Sequence, residues 1–304
     1  MRRIAGRKTL GLLSFLWLAA LTLAYYVTHK PFTPEMALSV ATAVWRLILA
    51  LILVTIAGGL GRRLTPSLSL YPLARLSLQA ALGLGCLSLL WLAIGAMGGL
   101  RPLIGWGMTL FLLVALIRSA LAWLQDWRKL SDLWAWASKL DQFLAGCMII
   151  VLLFTFVDAL APPIRFDALV YHLALPQRYL SLGRFAYIPE IMFWGMPQTG
   201  EMIYTWGMLL GGVNVAMLVG WLFGVVAMVG VWGVAYESLG HRAAWVSVAT
   251  LVSGYTLTKS LSWGYVDWFV ILFGLAWLAI WLHWSEQRGL LHLILAGVLA
   301  GMAW

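Results

Sequence analysis

The chain has 304 residues, 63% of them hydrophobic and only 10% charged, with a formal net charge of +9 and a mean hydropathy of +0.92. A soluble globular domain holds about 45–50% apolar and about 25% charged residues, so this composition excludes a fold that covers itself with polar groups, and lipid must be the solvent for most of the chain. The positive charge then belongs to a protein lying against anionic lipid, not to a nucleic-acid binder.

A membrane span needs about 20 apolar residues. In chain order this places helices at 9–28, 37–60, 73–99, 103–124 and 141–160, then at 213–236, 243–257, 265–284 and 290–304. The expectation is an all-α polytopic bundle of about nine spans. The first segment is read as a span because no small-residue cleavage site follows LAALTLAYYVTHKPF. Cys86 and Cys147 lie inside apolar runs and read as small core residues. Residues 125–140, QDWRKLSDLWAWASKL, read as an amphipathic surface helix on the inner side. The chain stops within the apolar run LAGVLAGMAW, which reads as a piece of a longer polypeptide.

Basic residues set the orientation. With a cytoplasmic N-terminus, the inner segments hold Arg2, Arg3, Arg7, Lys8, Arg62, Arg63, Arg75, Arg128, Lys129, Lys139, Arg242 and Arg288, while the short outer segments hold Lys30, Arg101 and Lys259. That asymmetry follows the positive-inside rule. It also decides the reading of EMIYTWGMLLGG at 201–212: a span there would move Arg242 and Arg288 outside, so it is read as a short interfacial or re-entrant helix. Its roughly 12 residues cover about 18 Å, short of a hydrocarbon core of about 30 Å.

The one long outer stretch, APPIRFDALVYHLALPQRYLSLGRFAYIPEIMFWGMPQTG, is cut by Pro162, Pro163, Pro176, Pro189 and Pro197 into short pieces. FDALVYHLAL and QRYLSLG read as helices lying along the membrane surface. Asp167 fits two readings: a helix N-terminal acid made comfortable by the macrodipole, or a carboxylate facing a cavity as general base. At 100° per residue Tyr171 shares a face with Asp167, whereas His172 is turned about 140° away and suits a phosphate or a second carboxylate. Arg165, Arg178 and Arg184 lie outside against the charge bias, which suits an anionic ligand or headgroup contact.

Glu201 sits near the start of the short helix after MPQTG, and Glu190 precedes the apolar IMFWG. Asp267, in SLSWGYVDWFVILFG, reads as an acid a few residues inside a span, a place where an unpartnered carboxylate is costly; Lys259, eight residues earlier, is its expected source of charge. No GxGxxG, Walker loop, HExxH or CxxC occurs, so nucleotide cradles and zinc sites have no support.

The segments PPIRFDALVYHLALPQRYLSLGRF, MPQTGEMIYTWGMLLGG and GYVDWFVILFGLAWLAIW together resemble the membrane glycosyltransferases of the GT-C class, in the bacterial branch related to protein mannosyltransferases, aminoarabinose transferases and rhizobial lipopolysaccharide galacturonosyltransferases. The resemblance covers roughly 141–304 and makes that segment a GT-C-like core with an outer loop at 161–212. Residues 1–124 then form a four-span extension, and 125–140 the connecting surface helix.

The resemblance implies transfer of a sugar from a polyprenyl-phosphate carrier to a lipid, glycan or protein acceptor at the outer face of the inner membrane. It makes Asp167 the essential acid and Glu201 the acid of the later loop helix, with Asp267 near the cavity. Tyr171, His172, Arg165, Arg178, Arg184 and Lys259 are then candidates for substrate contacts. The chain departs from the class in two ways: four apparent spans precede the core helix, and Asp167 is followed by Ala168 where relatives carry a pair of acids. A divalent metal therefore has no support from the residues. A transporter or flippase of a lipid-linked or anionic solute is the alternative function, and an assembly subunit without chemistry is a third.

Overall fold

In the computed structural model the described residues are 2–29, 33–65, 68, 70–131, 138–287 and 289–303. All regular structure among them is helical. The chain divides into two compact units, residues 1–45 and 46–304. The first holds α1 (Arg2–His29) and the opening turns of α2 (Pro34–Leu64). The side chains of α1 from Leu13 to His29 are exposed, as expected of a helix apolar all round whose solvent is lipid.

The second unit continues with α3 (Pro72–Ala96), α4 (Pro102–Asp126) and α5 (Lys139–Leu160). Pro72 and Pro102 each stand at the first helical position, where a missing N–H costs nothing. Ser138 and Asp141 form a reciprocal capping box at the start of α5. There follow α6 (Ala174–Leu182), α7 (Thr199–Gly211), α8 (Val213–Leu239), α9 (His241–Ser253), α10 (Tyr255–Ser260), α11 (Asp267–Gln287) and α12 (Leu290–Ala303).

Among the described residues six helices, not nine, are long and apolar enough to span a bilayer: α2, α3, α4 with its 3-10 extension to Lys129, α5, α8, and α11 to Trp284. Three of the expected segments are not among these six. Leu13–His29, the part of the 28-residue α1 whose surroundings are described, and α12, of 14 residues, count as shorter apolar helices. The 243–257 span is broken at Gly254, with Thr258 Oγ1 donating to Val252 O across the break at 2.6 Å. The pair α9–α10 nonetheless follows α5 along its length, because His241 lies 3.3 Å from Asp141 at one end and Lys259 is ion-paired with Asp158 at the other.

Two helices form the centre. In α3 and α8 72% of the most apolar window is buried, against 22% in α4 and 17% in α5. Close backbone contact makes this possible. A Cβ on Gly61 of α2 would come 1.7 Å from Gln79 O, and one on Gly83 of α3 would come 1.8 Å from Ala57 O. Two such reciprocal contacts four residues apart define an antiparallel crossing of small residues, the mode by which helices associate in lipid. Cys86 and Cys147, expected in the core, are free and exposed on α3 and α5.

The expected surface helix at 125–140 is seen in part: α4 runs to Asp126 and passes into a 3-10 turn, Trp127–Lys129. Residues 132–137 lie outside the described residues. The segment 201–212 is short, as its length requires, but it does not lie at an interface. Every residue from Gly200 to Leu210 is buried. Its polar side chains, Glu201, Tyr204 and Thr205, find partners inside the protein, so the helix is enclosed between α3 and α8 instead of facing headgroups. Trp206 stacks on Trp91 at 5.5 Å and donates to Thr109 Oγ1 at 2.8 Å. Gly212, at φ 79°, turns the chain directly into α8.

Candidate functional site

The stretch after α5 is held at one end of the bundle by backbone bonds to the α3–α4 turn: Phe185 N–H donates to Gly95 O at 2.9 Å and Leu100 N–H to Gly183 O at 3.0 Å. Between Phe166 and α6 the chain makes a π-helical turn, Ala168–His172, closed by Leu173 N–H donating to Ala168 O at 2.9 Å. Such a wide turn sacrifices regular i→i+4 bonding to re-aim side chains and recurs at functional sites. Here it turns His172 inward, where it is buried, and leaves Asp167 partly exposed.

His172 Nδ1 lies 2.6 Å from Glu201 Oε1, and both side chains are under 10% exposed. Glu201 is on the first turn of α7, so the buried pair welds the loop to the enclosed helix. Leaving a buried polar group without its partner costs about 1–3 kcal/mol. Glu201→Ala is therefore expected to destabilise the protein by that order, with His172→Ala equivalent and the double variant no worse than the larger single one. Additive losses in a detergent unfolding series would show that the two side chains are not coupled.

Asp167 stands between two phenols. Tyr171 is pushed up to about 12 from 10.0, first by burial, then by the charge of Asp167, with smaller contributions from Tyr265, Asp267 and a hydrogen bond to Asp167. Tyr265 is raised as well, by burial and then by the Asp167 carboxylate. Both hydroxyls are thus protonated donors beside Asp167. Because the folded value of Tyr171 exceeds its ordinary 10.0, the stability it contributes is fully present below pH about 10 and is lost as pH rises through about 12. Asp167→Asn removes the negative neighbour, so the phenolate absorbance of Tyr171 and Tyr265 is expected to rise at lower pH than in the parent. An unchanged alkaline titration would place Asp167 away from both rings.

The aromatic groups join the three acids that the sequence singled out. Tyr265 lies 5.5 Å from the His172 ring, Tyr171 lies 4.1 Å from it, and Tyr204 donates its hydroxyl to Tyr265 O at 2.6 Å. Asp267 also acts on Tyr171 electrostatically. It stands at the very start of its span, however, not a few residues within it. It is the first residue of α11 and is exposed, because Gly264 (φ 74°) turns the chain just before it. The macrodipole, not a buried cation, accommodates its charge. Lys259 is committed elsewhere, ion-paired with Asp158 at the end of α5, an acid that sequence reading overlooked for want of any motif around it.

Beside this cluster a cleft of about 210 Å³ is lined by Asp158, Pro163, Arg165, Lys259, Ser262 and Trp263, among others. Arg165 lies over the Trp263 ring, its Cζ 4.4 Å from the centroid. It makes no ion pair among the described residues, so its five N–H donors remain available to an anion. Two residues on from Arg165 is Asp167, and two on from Trp263 is Tyr265, so the same two chain segments form the cleft and the acid cluster.

Arg178 and Arg184 are not part of the cleft. Arg178 lies 3.7 Å from Glu190 in an exposed pair, and Arg184 is exposed. Sequence reading also missed Phe193. Its φ of 63° is unusual for a bulky residue, and its ring meets Tyr171 edge-on at 5.0 Å. Among the described residues no three His, Cys, Asp or Glu side chains gather closely enough to hold a metal. No family model matches the chain, and neither a curated protein nor a solved structure does.

Proposed function

We propose that this chain is a glycosyltransferase of the membrane, moving a sugar from a polyprenyl-phosphate carrier to an envelope acceptor hydroxyl. The observation that carries the reading is Asp167: a partly exposed carboxylate flanked by Tyr171 and Tyr265, next to a cleft in which Arg165 has no carboxylate partner among the described residues. Proton acceptor and anion receptor therefore lie on adjoining segments.

In the proposed reaction the acceptor oxygen attacks the anomeric carbon as its proton passes to Asp167, and the bond from that carbon to the carrier phosphate breaks. The electron pair leaves with the phosphate, whose growing charge meets Arg165 and the Lys259 ammonium held by Asp158. A phosphate leaving group needs no protonation at the glycosidic oxygen, unlike the alcohol released in glycoside hydrolysis. Inversion at the anomeric carbon follows from a single displacement.

The sidedness of the reading rests on charge. Arg62, Arg63, Arg75, Arg128, Lys129, Lys139 and Arg242 belong to the end opposite the Asp167 loop, whereas the short connections at the loop end carry Arg101 and Lys259. We read that excess, by the positive-inside rule, as a cytoplasmic opposite end and an external site.

The test uses proteoliposomes given labelled polyprenyl-phosphate sugar and a membrane-impermeant acceptor at the loop face. Label is expected to pass to the acceptor. If the label changes leaflet and stays on its carrier, the chain is a flippase and the transferase reading fails.

A further inference from the structure

At the end of the bundle opposite Asp167, α2, α3 and α4 close around a second cavity, of about 270 Å³, lined by Arg62, Thr65, Arg75, Gln79 and Ser119. Its rim is cationic. Arg62 is ion-paired with Asp126 Oδ2, and Arg75 Nη2 lies 3.7 Å from the same oxygen. Two guanidinium groups against one carboxylate leave a net positive charge. Arg63, exposed on the same turn of α2, adds to it while donating to Ala115 O at 3.3 Å.

The inner wall has the opposite need. Thr65 Oγ1 donates its proton to Gly61 O at 2.8 Å, and Ser119 Oγ donates its own to Leu116 O at 2.9 Å. What both present to the cavity is therefore acceptor lone pairs. Gln79 Nε2 donates to Thr65 Oγ1 at 3.5 Å, which fixes the amide. Its Oε1 has no hydrogen-bond partner among the described residues, although the residue is only 2% exposed.

A ligand that satisfies this cavity carries an anion for the arginines and hydroxyl donors for Ser119 and Gln79. A fully ionised phosphate meets the first requirement and not the second, and a phosphocholine group has no donor at all. We infer that the cavity binds a glycerol phosphate group, the headgroup chemistry of an anionic phospholipid or of free glycerol phosphate. Its place at the termini of three helices is headgroup depth, and a basic pocket between helices on that side is the usual shape of such a site. No residue of the Asp167 cluster takes part, so the inference stands independently of the proposed transferase activity.

The test places the whole chain in nanodiscs of equal phosphatidylglycerol, phosphatidylcholine and phosphatidic acid and weighs the lipid retained by native mass spectrometry. Phosphatidylglycerol should be retained roughly tenfold over phosphatidylcholine, the ratio expected of one charge-assisted contact. Arg75→Gln leaves the Arg62–Asp126 pair in place and should remove about that factor. Gln79→Met should still retain phosphatidic acid but lose the preference for phosphatidylglycerol over it. Excess free glycerol phosphate that displaces the lipid identifies the soluble compound as the ligand; failure to displace it identifies the lipid. Equal retention of phosphatidylglycerol and phosphatidylcholine by the parent chain, with no binding of glycerol phosphate, overturns the inference without recourse to any variant.

Discussion

Asp167→Asn is expected to lower sugar transfer by about 10² to 10⁴, the range supplied by a positioned general base. Asn keeps the volume and can still meet Tyr171 and Tyr265, so the loop should fold and bind its donor as before; the loss belongs to the catalytic step and not to donor affinity. Two features make the effect large. The carboxylate is only partly exposed, which strengthens every charge interaction around it. No acid adjoins it in the chain to take over, since Ala168 follows directly, and Glu201 is already engaged by His172. Turnover and donor binding measured on the same reconstituted preparation settle the matter: undiminished transfer by Asp167→Asn removes the residue from the base role. Arg165→Lys provides the complementary case. It keeps a charge but loses the planar fork and the stacking on Trp263, so it should weaken donor binding more than it slows turnover at saturating donor.

Gly83→Val is expected to be the most damaging substitution for stability, costing about 3 kcal/mol or more, at or beyond the upper end for overpacking. The first side-chain atom would fall 1.8 Å from the Ala57 carbonyl oxygen. That obstacle is backbone and not the end of a flexible side chain, so α2 and α3 must separate. Separation also undoes the reciprocal contact of Gly61 with Gln79 and the packing around the buried Trp91 and Trp123. Gly274→Ala is the matched control, because nothing lies within 4 Å of the added methyl on α11; helix propensity should make it neutral or slightly stabilising, by up to about 1 kcal/mol. Thermal unfolding in one detergent compares the two, and equal midpoints for Gly83→Val and the parent would refute the close crossing.

What the sequence by itself determined is the class of fold and the loop that carries the candidate site. Apolar runs of span length, with nowhere else to go than lipid, specify helices, and prolines mark where the chain leaves them. The acids at 167, 201 and 267 could be chosen because so few charges occur at all. Their relations could not be read. A helical wheel with 100° per residue puts Tyr171 with Asp167 and turns His172 toward a phosphate or a second carboxylate, but only the fold shows that this carboxylate is Glu201, 29 residues away. Lys259 was close to Asp267 in the chain, yet it pairs with Asp158, 101 residues distant, because the broken α9–α10 runs alongside α5. Hydropathy likewise cannot tell a helix facing lipid from one facing protein, since both environments are apolar. So 201–212, legible as too short to span, became a buried strut only when the bulky rings of Trp91 and Trp206 met across it. Composition chooses the solvent, and periodicity chooses the helix. Which polar groups meet is decided by the long-range packing of rigid helices, and that depends on small residues such as Gly61 and Gly83, whose importance shows only once the neighbouring backbone is in place.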